Sequence, residues 1–87
     1  MKEEWILIVD DEEVICNVLD RRLTREGFFC TTAHNGKEAL NHFYKNSFSL
    51  IISDMKMPEM TGIELLQKVK AIDPRMKLIM VTAYPDI

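Results

Sequence analysis

The 87-residue sequence is poor in the residues that mark several protein classes. It has two cysteines, three glycines and three prolines, so it indicates neither a disulfide scaffold nor a flexible linker or repeat. Cys16 and Cys30 lack metal-ligand or redox-pair spacing, and we expect reduced thiols in or near the core. His34 and His42 are also isolated, and neither is expected to be catalytic.

Positive charge is not in excess either. Eleven Lys and Arg stand against fourteen Asp and Glu, a net charge of −3, and the basic residues are scattered. We therefore expect no direct nucleic-acid contact by this segment. The only early apolar run, residues 5–9, is too short for a signal peptide or a membrane span and follows Glu3 and Glu4. The sequence thus predicts a cytoplasmic protein without membrane contact.

The overall amino-acid composition is typical of a globular protein. Hydrophobic residues make up 47% and charged residues 29% of the chain. A chain of this length supports one small hydrophobic core, so residues 1–87 are interpreted as a single domain.

Apolar runs alternate with amphipathic segments along the whole chain, which favours an α/β fold with a parallel sheet. The four runs interpreted as strands are WILIVD (5–10), FFCTTA (28–33), SLIISD (49–54) and KLIMVTA (77–83). The first and third are almost wholly apolar and end in acid, as expected of strands buried on both faces.

Each intervening segment carries helix signals. Asn35 with Glu38, and Thr61 with Glu64, have the spacing of capping boxes, Gly27 is placed to end the first helix, and Pro74 lies just beyond the third. The residues expected to face the core are Ile15, Leu19 and Leu23 in the first helix, Ala39, Leu40 and Phe43 in the second, and Ile63, Leu66 and Val69 in the third. Val14 and Val18 flank the first of these stripes.

Polar side chains follow three of the predicted strands. Asp10 and Asp11 end the first strand, Asp54 the third and Thr82 the fourth. In the strand order 2-1-3-4 the first and third strands are neighbours, so the three carboxylates would meet at the carboxyl edge of the sheet. Taken singly, Asp10 or Asp11 could cap a helix, Asp54 could be a turn residue and Thr82 strand filler.

Three carboxylates in one pocket repel one another, which raises the pKa of each unless a cation neutralises them. A hard divalent ion with oxygen ligands suits such a site, and Mg²⁺ is favoured where several waters are kept for an incoming phosphate. The acidic residues therefore predict a magnesium site.

Three motifs together resemble one known family. These are ILIVDDE at the first strand, the D-x-K-M-P-x-M-x-G loop from Asp54 to Gly62, and VTA at the fourth strand. Across all 87 residues the chain resembles the receiver domain of two-component response regulators. The resemblance implies a flavodoxin-like, CheY-like α/β/α fold with strand order 2-1-3-4.

The resemblance also implies roles for the acidic residues. Asp54 would be the phosphoacceptor that takes a phosphoryl group from a sensor histidine kinase or a phosphotransfer protein. Asp11, Asp54 and the backbone carbonyl of Lys56 would be Mg²⁺ ligands, with Asp10 acting on the metal through water. On this view the protein is a signalling module and not an enzyme in the usual sense.

Further positions match residues that control the phosphorylated state in the family. Thr82 matches the switch hydroxyl, Ala83 the small residue beside it, and Lys56 and Tyr84 the two positions that tune dephosphorylation. In the family the first helix docks the kinase, so Ile15 and Val18 are candidates for partner contact, with core packing as the alternative.

The family fold continues with a fourth helix, a fifth strand ending in Lys and a fifth helix, for which this sequence has no counterpart. We therefore expect a receiver domain truncated after its fourth strand, or a short protein completed by other means. An uncovered fourth strand and the Val14 and Val18 flank predict self-association.

Two other functions are considered, and only the first remains as an alternative. The first is a receiver-like interaction module that is not phosphorylated. The second, a haloacid-dehalogenase-type phosphatase, needs a D-x-D pair that Asp54-Met55-Lys56 does not provide.

Overall fold

The computed structural model describes residues 4–81. They form four strands and three helices in strict alternation. The elements are β1 (Trp5–Val9), α1 (Glu13–Arg25), β2 (Phe29–Ala33), α2 (Gly36–Lys45), β3 (Leu50–Asp54), α3 (Gly62–Ile72) and β4 (Leu78–Val81). Thr82 and Ala83, assigned to the fourth strand from the sequence, lie outside the described residues.

All strands pair in parallel, in the order β2-β1-β3-β4. The predicted strand order is confirmed. In the sheet register Val9 lies opposite Ser53, and Asp54 lies opposite Val81. Because each loop that follows a strand leaves from the same edge, the residues after β1 and at the end of β3 are brought together there.

The central strands are buried on both faces, as their apolar runs predict. Residues 6–9 of β1 are each at most 3% exposed. The core is therefore split by the sheet into two clusters. The larger one packs under α2 and α3 and includes Leu7, Val9, Phe43, Ile51, Leu65 and Val69, and the smaller one packs under α1 and includes Ile6, Ile8, Cys16 and Ile52.

The helix ends agree with most of the predicted caps. Thr61 and Glu64 form a complete capping box at α3. At α2 the Asn35 side chain accepts a hydrogen bond from the Glu38 N–H at 2.8 Å, whereas the Glu38 carboxylate reaches the N–H of His34 at 3.5 Å. Only half of the predicted box is therefore present at α2. Gly27, with φ of 98°, follows the end of α1 as expected.

The predicted core face of α3 needs correction. In α3, Ile63 is 52% exposed, and Leu65 is fully buried beside Val69. Leu66 is only half-buried. Leu65 and Val69 are one helical turn apart, and this stripe faces the sheet.

In α1 the fully buried residue is Cys16. Leu19 and Leu23 pack around it and remain partly exposed. Val14 and Val18 are 72% and 61% exposed, in accordance with their predicted flanking position. Among residues 4–81, no helix has the length and apolar character needed to cross a membrane.

Candidate functional site

Three carboxylates meet at the carboxyl edge of the sheet, as the sequence predicts. Asp10 follows the last residue of β1, Asp11 comes next, and Asp54 ends β3. One oxygen from each carboxylate lies within 4.8 Å of the other two. Asp10 is buried, Asp54 half-buried and Asp11 exposed. The cluster is therefore anchored in the fold on one side and open to solvent on the other.

Asp10 is held by the backbone around it. Its N–H donates to the carbonyl of Ala33 at 3.0 Å, which ties it to the end of β2. Its carboxylate accepts a hydrogen bond from the N–H of Glu12 at 2.9 Å. The N-cap residue of α1 is Glu12, whose own side chain makes no cap bond, so neither Asp10 nor Asp11 is the N-cap itself.

The surroundings of Asp10 favour its neutral form. Burial raises the pKa of Asp10, the hydrogen bond from Glu12 lowers it, and the charges of Asp54, Asp11 and Glu12 raise it further, with a net upward shift. A carboxylate that has lost water and faces two others gains most from a bound cation.

Cys16 lies beneath Asp10. Its Sγ donates to the backbone carbonyl of Asp10 at 3.3 Å and, more weakly, to that of Ala33 at 3.8 Å. Burial, followed by the charge of Asp10, raises the pKa of Cys16 to about 11. Cys16 is therefore a buried thiol that ties α1 to the site, not a nucleophile. The sequence placed it in or near the core but did not reveal these contacts.

The backbone of Asp54 is fixed from two sides. The fully buried Ser53 donates its hydroxyl hydrogen to the carbonyl of Asp54 at 2.9 Å. Gly62, the first residue of α3, donates its N–H to the carbonyl of Met55 at 2.9 Å. A Cβ on Gly62 would overlap the Asp54 carbonyl oxygen and approach the Met80 sulfur at 2.7 Å. Sequence reasoning gave Gly62 only as a motif position, and the close approach is visible only in three dimensions.

The structure describes only some of the other predicted site residues. Lys56 is exposed on the loop that joins β3 to α3. Thr82 directly follows Val81, the β4 residue paired with Asp54, but Thr82, Ala83 and Tyr84 lie outside the described residues. On α1, Ile15 is half-buried and Val18 exposed.

The donor set suits a hard divalent cation. It consists of carboxylate oxygens, one of them from Asp10, whose pKa is raised by burial and then by the neighbouring carboxylates. No Cys or His belongs to the cluster found among residues 4–81, which argues against a soft-metal site. Asp10, Asp11 and Asp54 therefore fit Mg²⁺.

Comparison with known proteins decides the family. The model of the response regulator receiver domain matches residues 6–87. The chain belongs to this family. It is 40% identical, over its whole length, to sporulation initiation phosphotransferase F of Bacillus subtilis, of which it covers 70%. Receiver domains are signalling modules, and the described strand order, helices and acidic cluster are those of the family's fold.

Two solved structures of one relative are informative. The response regulator TrrA of Thermotoga maritima, in complex with Mg²⁺-BeF, is 38% identical, with a TM-score of 0.89 over 93% of this chain and 70% of that chain. TrrA in complex with the histidine kinase ThkA is 37% identical, with a TM-score of 0.88 over 95% of this receiver domain and 72% of TrrA.

The chain spans only part of its relatives. Among curated transcriptional regulatory proteins that it matches, it spans 38% of the length of one and 19% of the length of another. The activities and outputs of those whole proteins therefore do not transfer to this chain by similarity alone.

Proposed function

We propose that this receiver domain accepts a phosphoryl group on Asp54. The observation that carries the proposal is the convergence of Asp10, Asp11 and Asp54, with carboxylate oxygens within 4.8 Å of one another. Asp54 is the half-buried member at the end of β3, so its carboxylate is positioned by the sheet and still reachable from solvent. The complex of the similar TrrA with Mg²⁺-BeF supports the proposal.

The reaction is a displacement at phosphorus. A carboxylate oxygen of Asp54 attacks the phosphorus of a phosphohistidine, the new P–O bond forms as the P–N bond breaks, and the electron pair stays on the imidazole nitrogen, which takes up a proton. Phosphoryl transfer requires in-line positioning and neutralisation of oxygen charge more than covalent work by the protein. The hydrogen bond from Ser53 and the contact with Gly62 supply the positioning by fixing the Asp54 backbone.

Asp11, Asp54 and the backbone carbonyl of Lys56 would hold Mg²⁺, with Asp10 acting through a water molecule. The ion, when bound, neutralises charge on the phosphoryl oxygens and reduces their repulsion of the carboxylates. Burial, and after it the charges of the neighbouring carboxylates, raise the pKa of Asp10, and a nearby cation would stabilise its charged form.

Downstream of transfer, the acyl phosphate adds a strongly charged acceptor at the edge of the sheet. We assign the switch hydroxyl to Thr82, with the small Ala83 beside it, and the tuning of dephosphorylation to Lys56 and Tyr84. The output is a change of conformation, and the domain acts in the cytoplasm as a signalling module and not as an enzyme with turnover.

The phosphodonor is a sensor histidine kinase or a phosphotransfer protein. The exposed Val18 and the half-buried Ile15 lie on α1, the helix that follows Asp10 and Asp11 in the chain, and are candidates for the contact. The complex of TrrA with the histidine kinase ThkA supports such a partner.

We also assign a self-association surface to β4 and α1. Ile79 of β4 is 50% exposed, and Val14 and Val18 of α1 are more exposed still. No charged residue lies within β4 to discourage pairing of its edge. Light scattering is expected to show oligomers that grow with concentration, and a monodisperse monomer at high concentration contradicts this assignment.

The proposed function is tested by intact-mass spectrometry after incubation with Mg²⁺ and acetyl phosphate. One phosphoryl adduct is expected on the wild type and none on Asp54→Asn or after chelation of the metal. The absence of any adduct on a folded, Mg²⁺-binding wild type would instead favour an interaction module that is not phosphorylated.

A further inference from the structure

A groove of about 400 Å³ lies between α2 and the loop of residues 55–61. Its floor contains the half-buried Leu40 and Met60, and the ring of Tyr44, which is 68% exposed, forms one wall. None of the three acidic site residues lines it. A concave site of this volume with apolar walls is large enough for one or two bulky side chains of a partner.

The floor of the groove is held in place. Met60 packs on Gly36, at the first turn of α2, so closely that a Cβ on Gly36 would overlap the Met60 side chain. The Met60 N–H donates to the carbonyl of Pro58 at 2.8 Å, and the intervening Glu59 takes a positive φ of 70°. The groove is therefore preformed, which lowers the entropic cost of binding there.

The rim carries more positive than negative charge. Lys37 of α2 and Lys68 of α3 are both exposed and line the groove, and Glu59 is its single acidic residue. The local balance of two cations to one anion is opposite in sign to the chain as a whole, whose net charge is −3. A ligand with carboxylates opposite the two lysines, and none opposite Glu59, would complement this rim.

We propose that the groove docks an acidic amphipathic helix of a partner protein. An apolar side chain of that helix would occupy the floor beside Tyr44, with Glu or Asp side chains one turn away facing Lys37 and Lys68. This is the helix-in-groove mode of recognition, in which a few apolar anchors provide affinity and flanking charges provide orientation. The repulsion from Glu59 restricts the register of the bound helix.

The probe is a fluorescein-labelled helical peptide of 18 residues, with Leu or Phe at every third or fourth position and Glu beside them. A second peptide, with Lys in place of each Glu, and a third, with the apolar residues scattered, serve as controls. Fluorescence anisotropy against the whole 87-residue chain measures the dissociation constant. Only the acidic amphipathic peptide is expected to bind.

Charge variants test the rim. The double variant Lys37→Glu with Lys68→Glu is expected to weaken binding about tenfold or more. The pair Arg21→Glu with Lys77→Glu makes the same change of net charge at exposed positions outside the groove and should bind as the wild type does. An equal loss of peptide affinity in the two double variants would overturn the proposal, because the peptide would then be attracted by the net charge of the chain and not by the groove.

Two further variants test the wall and the register. Tyr44→Ala, at an exposed position that the fold does not require, is expected to weaken binding about fivefold to tenfold. Glu59→Asn removes the unfavourable charge with a residue that tolerates the left-handed backbone, and it should strengthen binding. This gain cannot arise from unfolding. No change for either variant would overturn the proposal.

Asp54→Asn is expected to bind the peptide as well as the wild type, so docking is tested independently of phosphorylation. Competition by a single-stranded DNA of equal charge as effectively as by the unlabelled peptide would overturn the proposal, since the groove would then be a general polyanion site.

Discussion

The backbone of Gly62 packs directly on the backbone carbonyl of Asp54. The first turn of α3 thereby meets the residue proposed to be phosphorylated, with no side chain between them. The Ser53 hydroxyl bonds the same carbonyl from within the core. A shift of α3 would be transmitted to the Asp54 carboxylate, so we expect Gly62 to act as a positioning residue for the proposed reaction.

Replacement of Gly62 by Ala is therefore expected to displace Asp54. Overpacking of this kind costs about 1–3 kcal/mol of stability, and a displacement of about 1 Å at a reacting group can slow a reaction about a hundredfold. Phosphorylation by acetyl phosphate should slow markedly in Gly62→Ala, measured by the rate of adduct formation under conditions in which circular dichroism shows the fold retained.

Gly27→Ala is the matched control. Gly27 has a positive φ and open space around it, so alanine strains the backbone by about 1–2 kcal/mol without contacting the site. Its rate of phosphorylation should be that of the wild type. Equal slowing in both variants would show that Gly62 acts through stability alone.

The acidic pocket should make stability depend on pH. The pKa of Asp10 is higher in the folded chain than in the unfolded chain, where it is near 3.8. The stability that Asp10 contributes is therefore fully present below pH 3.8 and is lost as the pH rises through the folded-state pKa. Asp10→Asn keeps an oxygen to accept the Glu12 N–H and removes the charge. Without metal, urea unfolding at pH 7 should show this variant more stable than the wild type.

That gain should shrink toward zero as pH falls to about 3, where the wild-type carboxyl is protonated in both states. Saturating Mg²⁺ should stabilise the wild type more than Asp10→Asn, because ligand binding to the native state adds to stability. A variant less stable than the wild type at pH 7 without metal would contradict the assigned electrostatics.

Much of the fold follows from the sequence because its signals agree. The first and third apolar runs end in acid and the fourth carries Thr near its end, and this pattern predicts the edge of the sheet where the site lies. The phase predicted for α3 is wrong, since Ile63, Leu66 and Val69 have helical spacing, and so do Leu65 and Val69. Only the position of the sheet decides which stripe is buried. The approach of Gly62 to Asp54 likewise depends on the packing of two separate elements.

A pair of α3 variants tests the corrected phase. Leu65 is fully buried and Ile63 is 52% exposed. Leu65→Ala should lower the free energy of unfolding by about 2–5 kcal/mol. Ile63→Ala should change it by no more than about 0.5 kcal/mol. Urea unfolding followed by circular dichroism measures both. Comparable losses at the two positions would return α3 to the phase first predicted.

The two cysteines should differ in reactivity. The pKa of Cys16 is raised to about 11, so at pH 8 roughly one thiol in a thousand is ionised, and the side chain is buried as well. Cys30 is only half-buried, although burial raises its pKa also. Labelling by a disulfide reagent should therefore be much slower in Cys30→Ala, which retains Cys16, than in Cys16→Ala.

In denaturant the two variants should be labelled at the same rate, which controls for the intrinsic chemistry of the thiols. Equal rates in the folded state would mean that Cys16 is not enclosed between α1 and the sheet.

The most direct test of the central claim identifies the phosphorylated residue. After incubation with Mg²⁺ and acetyl phosphate, borohydride reduces an aspartyl phosphate to homoserine, which peptide mass spectrometry locates. The account predicts homoserine at position 54 in the wild type and none in Asp54→Asn. Homoserine at position 10 or 11, or an adduct that survives in Asp54→Asn, would contradict it.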